Sequence, residues 1–284
     1  MIFWIASYPK SGNTWLRALI SSYYYSEDGI FNQNIIQKIG QFPEKKHFEN
    51  FAYDKNILTG TTNYWIKAQE KINIDKKLRF FKTHNSFGAL NNNHFTDSKN
   101  SIGAIYIIRD PRNVITSLKN HYELSDDQAL KWMINKKNYI YEVDNFEKYG
   151  YGNFQFISSW SMNYKSWKVQ NKIPIKIVRY EDLLSETYVI FKDIIKFINK
   201  TTFNNEKINI DKLKNSVSST FFDKLKDDED KNGFLEAVVS KKNKTKIPFF
   251  YLGPKNDWKK ILTKKLQNEI SDVFKNEFNE LGYK

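Results

Sequence analysis

The chain opens with MIFWIASYPKSGNTW, Met1 to Trp15. Ile2–Ser7 is a near-continuous apolar run, as expected of a strand covered on both faces. A polar turn with one lysine and one glycine follows. Leu16, Leu19, Ile20 and Tyr23 then recur on one helical face. Strand, turn and helix together make an anion site. Backbone N–H groups at a helix N-terminus attract anions, Lys10 adds a point charge, and Thr14 adds a hydroxyl. The loop that holds ATP or GTP reads G-x-x-x-x-G-K-[ST], with its lysine after the second glycine. Here Lys10 precedes Gly12, so the turn is a poor match for a triphosphate loop. Trp15 adds a ring suited to stacking on a base.

Three further runs have the same form. Leu78–Lys82 leads into THNSFG, Ile102–Ile108 into RDPRN, and Ile175–Arg179 into YEDLL. Val114, Leu118 and Tyr122 share a helical face behind Asp110-Pro111, an N-cap followed by a proline at the first helical position. Leu266, Ile270, Val273, Phe274, Phe278 and Leu281 predict a C-terminal amphipathic helix stopped by Gly282. The segments 224–233 and 240–246 are charged and read as loops. Alternating strands and helices predict an α/β fold, a single domain over 1–284 with a central parallel sheet flanked by helices. Ligands of such sheets sit beyond the carboxyl ends of the strands, where the polar turns lie.

Composition narrows the class. The 284 residues include no cysteine, which excludes a disulfide framework and thiol chemistry. No apolar run approaches the roughly 18 residues of a membrane span, and no leader pattern is present, so no membrane partner and a cytoplasmic location are expected. Lys and Arg total 45 against 32 Asp and Glu, a formal charge of +13. That balance favours anionic partners. The lysines are scattered, however, and neither zinc-finger nor RNP-like patterns occur, so no nucleic-acid partner is expected. No metal-ligand cluster is evident either.

Two further constellations carry chemistry. In FFKTH, Lys82 and His84 are two residues apart and project to one side if the strand runs to its end. Histidine is the natural general base near neutral pH. Of the four histidines, His47, His84, His94 and His121, His84 alone directly follows a predicted central strand. In YIIRDPRNVITSLKNHY, Arg109 ends a strand and Ser117 lies about two turns into the next helix. Arginine can grip a phosphate bidentately, and a serine hydroxyl can add a hydrogen bond.

YPKSGNTW, FFKTH, RDPRNVITS and YEDLL, in this order, resemble the successive signatures of soluble, cytosolic-type sulfotransferases that use 3′-phosphoadenosine 5′-phosphosulfate (PAPS). STFFDKL and GPKNDWKK resemble later segments of that family, so the likeness runs to about residue 260. The resemblance implies a P-loop-like nucleotide-binding architecture. It also implies that Lys10, Ser11, Gly12, Asn13, Thr14 and Trp15 surround the 5′-phosphosulfate, with Trp15 packing on the adenine. Arg109 and Ser117 match 3′-phosphate ligands. Tyr180, Thr220 and Phe222 match the adenine surroundings, and Gly253 the late glycine loop. His84 matches the catalytic base, and Lys82 a lysine near the transferring group. The expected reaction passes a sulfuryl group from PAPS to a hydroxyl of a small-molecule or saccharide acceptor, without a metal. Lys10 and Lys82 stabilise the group in transit.

The sequence departs from the family at two places. An Arg-Lys pair usually precedes the late glycine, whereas Tyr251 and Leu252 stand there; a lysine within 241–246, such as Lys244 or Lys246, is the expected replacement. The family's dimer motif is incomplete, because Lys264 stands where valine is usual, and no oligomeric state is inferred. The aromatic-rich segments 23–65 and 139–168 are mostly core, with some rings expected at the acceptor pocket. The alternative readings are a kinase-like phosphotransferase and a non-catalytic nucleotide- or nucleic-acid-binding protein.

Overall fold

In the computed structural model, which describes residues 1–240 and 242–283, the apolar runs lie side by side in one parallel sheet. Its strands are β1 (Ile2–Ser7), β2 (Gly40–Gln41), β3 (Arg79–Thr83), β4 (Ser101–Ile108) and β5 (Ile175–Arg179), in the order β2-β3-β1-β4-β5. The four strands expected from the sequence are present, two with slightly shifted ends. The two-residue β2 was not legible, being too short to show a period. Ala6 pairs with Thr83 and Ser7 with Ile107, while Ile108 pairs with Arg179 and Gln41 with Lys82. The carboxyl ends therefore share one edge. After β1 the chain adds strands on one side, and after β3 it crosses to the other. The crevice between β1 and β4 is thus the switch point where such sheets bind ligands.

Alternate residues of the central strands enter two separate cores, as the two-residue period of a strand requires. Trp4, Phe81 and Tyr106 meet α2 (Pro111–Tyr122), α3 (Trp160–Val169) and α8 (Lys264–Val273) through Leu118, Trp167 and Ile270. Phe3, Ile5, Phe80 and Ile107 meet α1 (Asn13–Tyr25), α5 (Thr187–Thr201) and α6 (Ile210–Ser219) through Leu19, Ile194 and Leu213. As expected, α2 starts at Asp110, whose carboxylate accepts from the Arg112 N–H, with Pro111 in the first helical position.

Two expectations are corrected. Residues 224–233 do not form a loop: they lie in α7 (Phe222–Asn232), ended by Gly233. Leu225 and Glu229, four apart, are buried on one face. The Glu229 carboxylate accepts from the backbone N–H groups of Phe249 and Phe250 at 2.7 and 2.8 Å. With one aliphatic anchor and a buried acid, this helix has no readable apolar stripe. The C-terminal helix is broken at Phe274 into α8 and α9 (Lys275–Leu281), and Val273 is half exposed. Gly282 does end it, in the left-handed conformation at φ 69°.

Trp4 is fully buried in the middle of β1, and its indole N–H donates to the Ser101 hydroxyl at 2.6 Å. Trp4→Ala is expected to cost about 3–5 kcal/mol. This lowers the thermal midpoint by roughly 10 °C for a chain of this size, as calorimetry or circular dichroism would read.

Candidate functional site

A cleft of about 670 Å³ opens at the carboxyl edge of the sheet. The volume lies within the usual range for small-molecule sites. Of the residues singled out in the sequence, Lys10, Gly12, Asn13, Thr14, Trp15, Lys82, His84, Arg109, Ser117, Tyr180, Phe222 and Gly253 line it. Ser11 and Thr220 do not.

The turn after β1 adopts a backbone that few sequences accept. Lys10 has φ 64° and Gly12 φ 97°, both left-handed. A Cβ at Gly12 would lie 2.5 Å from the Tyr180 ring, so this ring closes over the turn only because position 12 is bare. The Asn13 amide turns back and donates to the Ile5 carbonyl at 3.0 Å and the Ser7 hydroxyl at 3.2 Å. Asn13 thereby ties the start of α1 to the end of β1. Lys10 Nζ rests 4.0 Å from the centre of the Phe249 ring. Burial lowers Lys10 to about 8, against the opposing pull of Glu236. Beneath the turn, Ser11 Oγ is buried without a hydrogen-bond partner among the described residues, as is Arg109 Nε at the end of β4. Unpaired buried polar groups in a native fold call for a ligand, ion or water.

His84 stands just beyond β3. Its Nδ1 is 2.9 Å from the Ser7 carbonyl oxygen, which can only accept, so Nδ1 carries the proton. The lone pair is therefore on Nε2. Burial, reinforced by the Lys82 charge, lowers the imidazole to about 4 and keeps it neutral. Its backbone is clamped on both sides. Gln155 Oε1 accepts from His84 N–H at 2.8 Å, and the Asn163 amide donates to His84 C=O at 2.9 Å. Lys82 Nζ lies 2.7 Å from Glu236 Oε1. Burial pulls Lys82 below the usual lysine range, and Glu236 opposes the shift.

At the other end, Arg109 lies 4.2 Å over the Tyr180 ring. Trp15 meets Tyr180 edge to face at 5.6 Å. With Leu184, Phe221 and Phe222 these rings form an apolar slot. Gly253 has φ 51°, and a Cβ there would fall 2.2 Å from the Phe222 ring, so the late loop passes against that ring as only glycine can. Asn256 pins this loop to α2. Its Nδ2 donates to the Asn113 carbonyl at 2.9 Å and to the Ser117 hydroxyl at 3.4 Å, and its Oδ1 accepts from Thr116 at 2.7 Å.

Several sequence candidates sit elsewhere. Thr220 is fully buried at the end of α6, with its hydroxyl donated to the Ser216 carbonyl at 2.7 Å. Among the described lysines of 240–246, neither Lys244 nor Lys246 lines the cleft, and Lys241 lies outside the described residues. Lys224 does line it, as do Tyr251 and Leu252. None of the aromatics named for the acceptor pocket lines the cleft; Trp65, Trp160 and Trp167, for example, are fully buried core. The end near His84 is instead walled by Gln41, His121, Tyr122 and Ile140. Glu236, Gln155 and Asn163 escaped the sequence reading because no motif marks them, and Asn256 lies within GPKNDWKK without being singled out there. Each reaches the site through the fold from a distant segment. Among the described residues, no helix is long and apolar enough to cross a membrane.

Known sulfotransferases are similar to this chain in sequence and fold. The chain is 27% identical over 231 residues to luciferin sulfotransferase of Photinus pyralis, covering 78% of this chain and 56% of that protein. It is 24% identical over 272 residues to Sulfotransferase 1B1 of Mus musculus, covering 95% of this chain and 80% of the relative. The fold is similar to that of mouse sulfotransferase SULT7A1 complexed with PAP (TM-score 0.60, 20% identity, 98% of this chain and 83% of the other). It is also similar to that of retinol dehydratase in a complex with retinol and PAP (TM-score 0.57, 16% identity, 98% and 81%). The family model of the sulfotransferase domain matches residues 2–282, and the chain belongs to that family.

Proposed function

We propose that the cleft binds PAPS and that the protein transfers its sulfuryl group to a hydroxyl of a small-molecule or saccharide acceptor. The observation that carries this reading is the convergence on one cleft of a neutral His84 with Nε2 unprotonated, two partly buried lysines, and a turn after β1 that lines it with Lys10, Gly12, Asn13 and Thr14. The relatives solved with PAP, the bisphosphate that remains when PAPS loses its sulfuryl group, point the same way.

Each residue then has a task that its environment allows. The turn of Lys10 to Thr14 holds the phosphosulfate. Arg109 and Ser117 take the 3′-phosphate. Trp15, Tyr180 and Phe222 hold the adenine in the apolar slot. His84 Nε2 removes the acceptor's hydroxyl proton, and the oxygen bonds to sulfur as the bond from sulfur to the 5′-phosphate oxygen breaks. The departing oxygen keeps that electron pair, and Lys10 and Lys82 offset the charge that develops. Because Thr220 is spent on its own helix, its part is to support Phe221 and Phe222 rather than to touch the base. Likeness to Cytosolic sulfotransferase 9 of Arabidopsis thaliana, 22% identical over 99% of this chain, supports a cytoplasmic location.

A PAPS-turnover assay against a panel of phenols, aliphatic alcohols and saccharides tests the reaction; absence of turnover with every class argues against it. Lys10→Ala and His84→Ala are each expected to reduce turnover at least ~100-fold, and near-normal rates in either variant reject the assignment. The pH dependence follows from the two lowered values. His84, lowered to about 4, is a free base throughout pH 5–7, so kcat/KM shows no acid limb there. Lys10, lowered to about 8, loses its charge above that pH, so kcat/KM declines on the alkaline side. In Lys10→Arg, which stays charged, that decline moves to higher pH. Finally, calorimetry is expected to show tighter binding of adenosine 3′,5′-bisphosphate than of AMP; equal affinities count against a 3′-phosphate site.

A further inference from the structure

Lys82 and Arg17 share a single carboxylate oxygen. Glu236 Oε1 lies 2.7 Å from Lys82 Nζ and 2.5 Å from Arg17 Nη1, and Oε2 accepts from the Thr14 hydroxyl at 2.9 Å. Three parts of the site, β3, α1 and the anion turn, are thus joined by one side chain from the segment after α7. That segment has few other ties. Gln33 Nε2 donates to the Gly233 carbonyl at 2.7 Å, and the Phe234 ring packs on Phe249 and Phe250. Leu235, next to Glu236, is 71% exposed. Arg17 is fixed from behind, donating to the carbonyls of Ile36 and Ile39 at 3.4 and 3.2 Å. Lys82 has no such backing: Glu236 is the one hydrogen-bond and ion-pair partner recorded for its ammonium among the described residues.

We propose that Glu236 is a positioning residue that holds the Lys82 ammonium in place, and charged, for the sulfuryl group. This rests on the role given to Lys82 above. A lysine with 15% of its side chain exposed has little water to keep its charge. The groups around it are mainly cationic or neutral. Arg17 comes from α1, Lys10 from the anion turn, His84 from the end of β3 and His121 from α2; Glu44, after β2, is a second, weaker carboxylate influence. Without Glu236, two cations would confront each other across the place the carboxylate now fills. Lys82 would then shed its proton or swing away. Burial opposes the Glu236 charge as well, yet Lys82 and Arg17 hold the carboxylate well below its usual range, so the three groups are charged together.

Competitive labelling of the full chain with trace acetic anhydride across pH, read by mass spectrometry of the Lys82 peptide, measures this charge without an acceptor or donor. In Glu236→Gln the acid dissociation constant of Lys82 is expected to rise at least tenfold. In Glu236→Asp, which keeps the charge but withdraws it by one methylene, an intermediate value is expected. Thermal melts establish that both variants are folded. In PAPS turnover, Glu236→Gln is expected to lower kcat at least ~10-fold and to change KM for PAPS less than ~3-fold, the signature of an interaction used in the transition state. Lys82→Ala separates the two ideas. If it turns over normally, the role of Lys82 falls, and this proposal with it. If Lys82→Ala is inactive while Glu236→Gln and Glu236→Asp leave the Lys82 titration and kcat unchanged, the positioning role alone is overturned.

Discussion

The site depends on where β1 ends. Because β1 is hydrogen-bonded on both sides, Ser7 is fixed between the ends of β3 and β4. Both of its oxygens reach His84 Nδ1: the carbonyl accepts from it at 2.9 Å, and the hydroxyl lies 3.2 Å away and also receives the Asn13 amide that anchors α1. His84 and the turn after β1 are therefore referenced to the same residue. A shift of β1 by one position would exchange its two faces between the two cores and carry both groups out of line. The fully buried Ile2–Ala6 run makes such a slip costly.

Electrostatics in the cleft are set by burial more than by any single pair. Lys10, Lys82 and His84 are each moved toward the neutral form by loss of water. In the proposed roles this helps His84, since a neutral imidazole can accept a proton, and it works against lysines that are to meet an anion, where Glu236 opposes the shift. Arg109, at the other end of the cleft, packs on the Tyr180 face, where a planar cation sits well.

Much of this was legible in the sequence because it is local. Strand, turn and helix around Lys10, the Lys82–His84 spacing and the Asp110-Pro111 start all sit within windows of about ten residues, where period and cap chemistry act. What was not legible is long-range. Glu236 meets Arg17 across 219 positions of chain, and Asn256 meets Ser117 across 139. Glu236 lies in no patterned stretch, and Asn256, though within GPKNDWKK, is placed by a contact that no local pattern shows. Helix α7 was misread for a related reason: its stability comes from Leu225 and from a buried acid that caps the backbone of residues twenty positions away, not from an apolar stripe. Most of the aromatics of 23–65 and 139–168 are core, as expected, and none lines the cleft; ring content marks a core as readily as a pocket, and only packing separates them.

The central position of β1 also has a consequence for synthesis. Its partners begin at Arg79 and Ser101, so roughly 70 to 100 residues must follow it before either edge can pair. At about 5–20 residues per second, a near-continuous apolar strand leaves the ribosome and waits for several seconds with both edges open. The strand on which the cleft is built thus stays open to wrong partners throughout that interval.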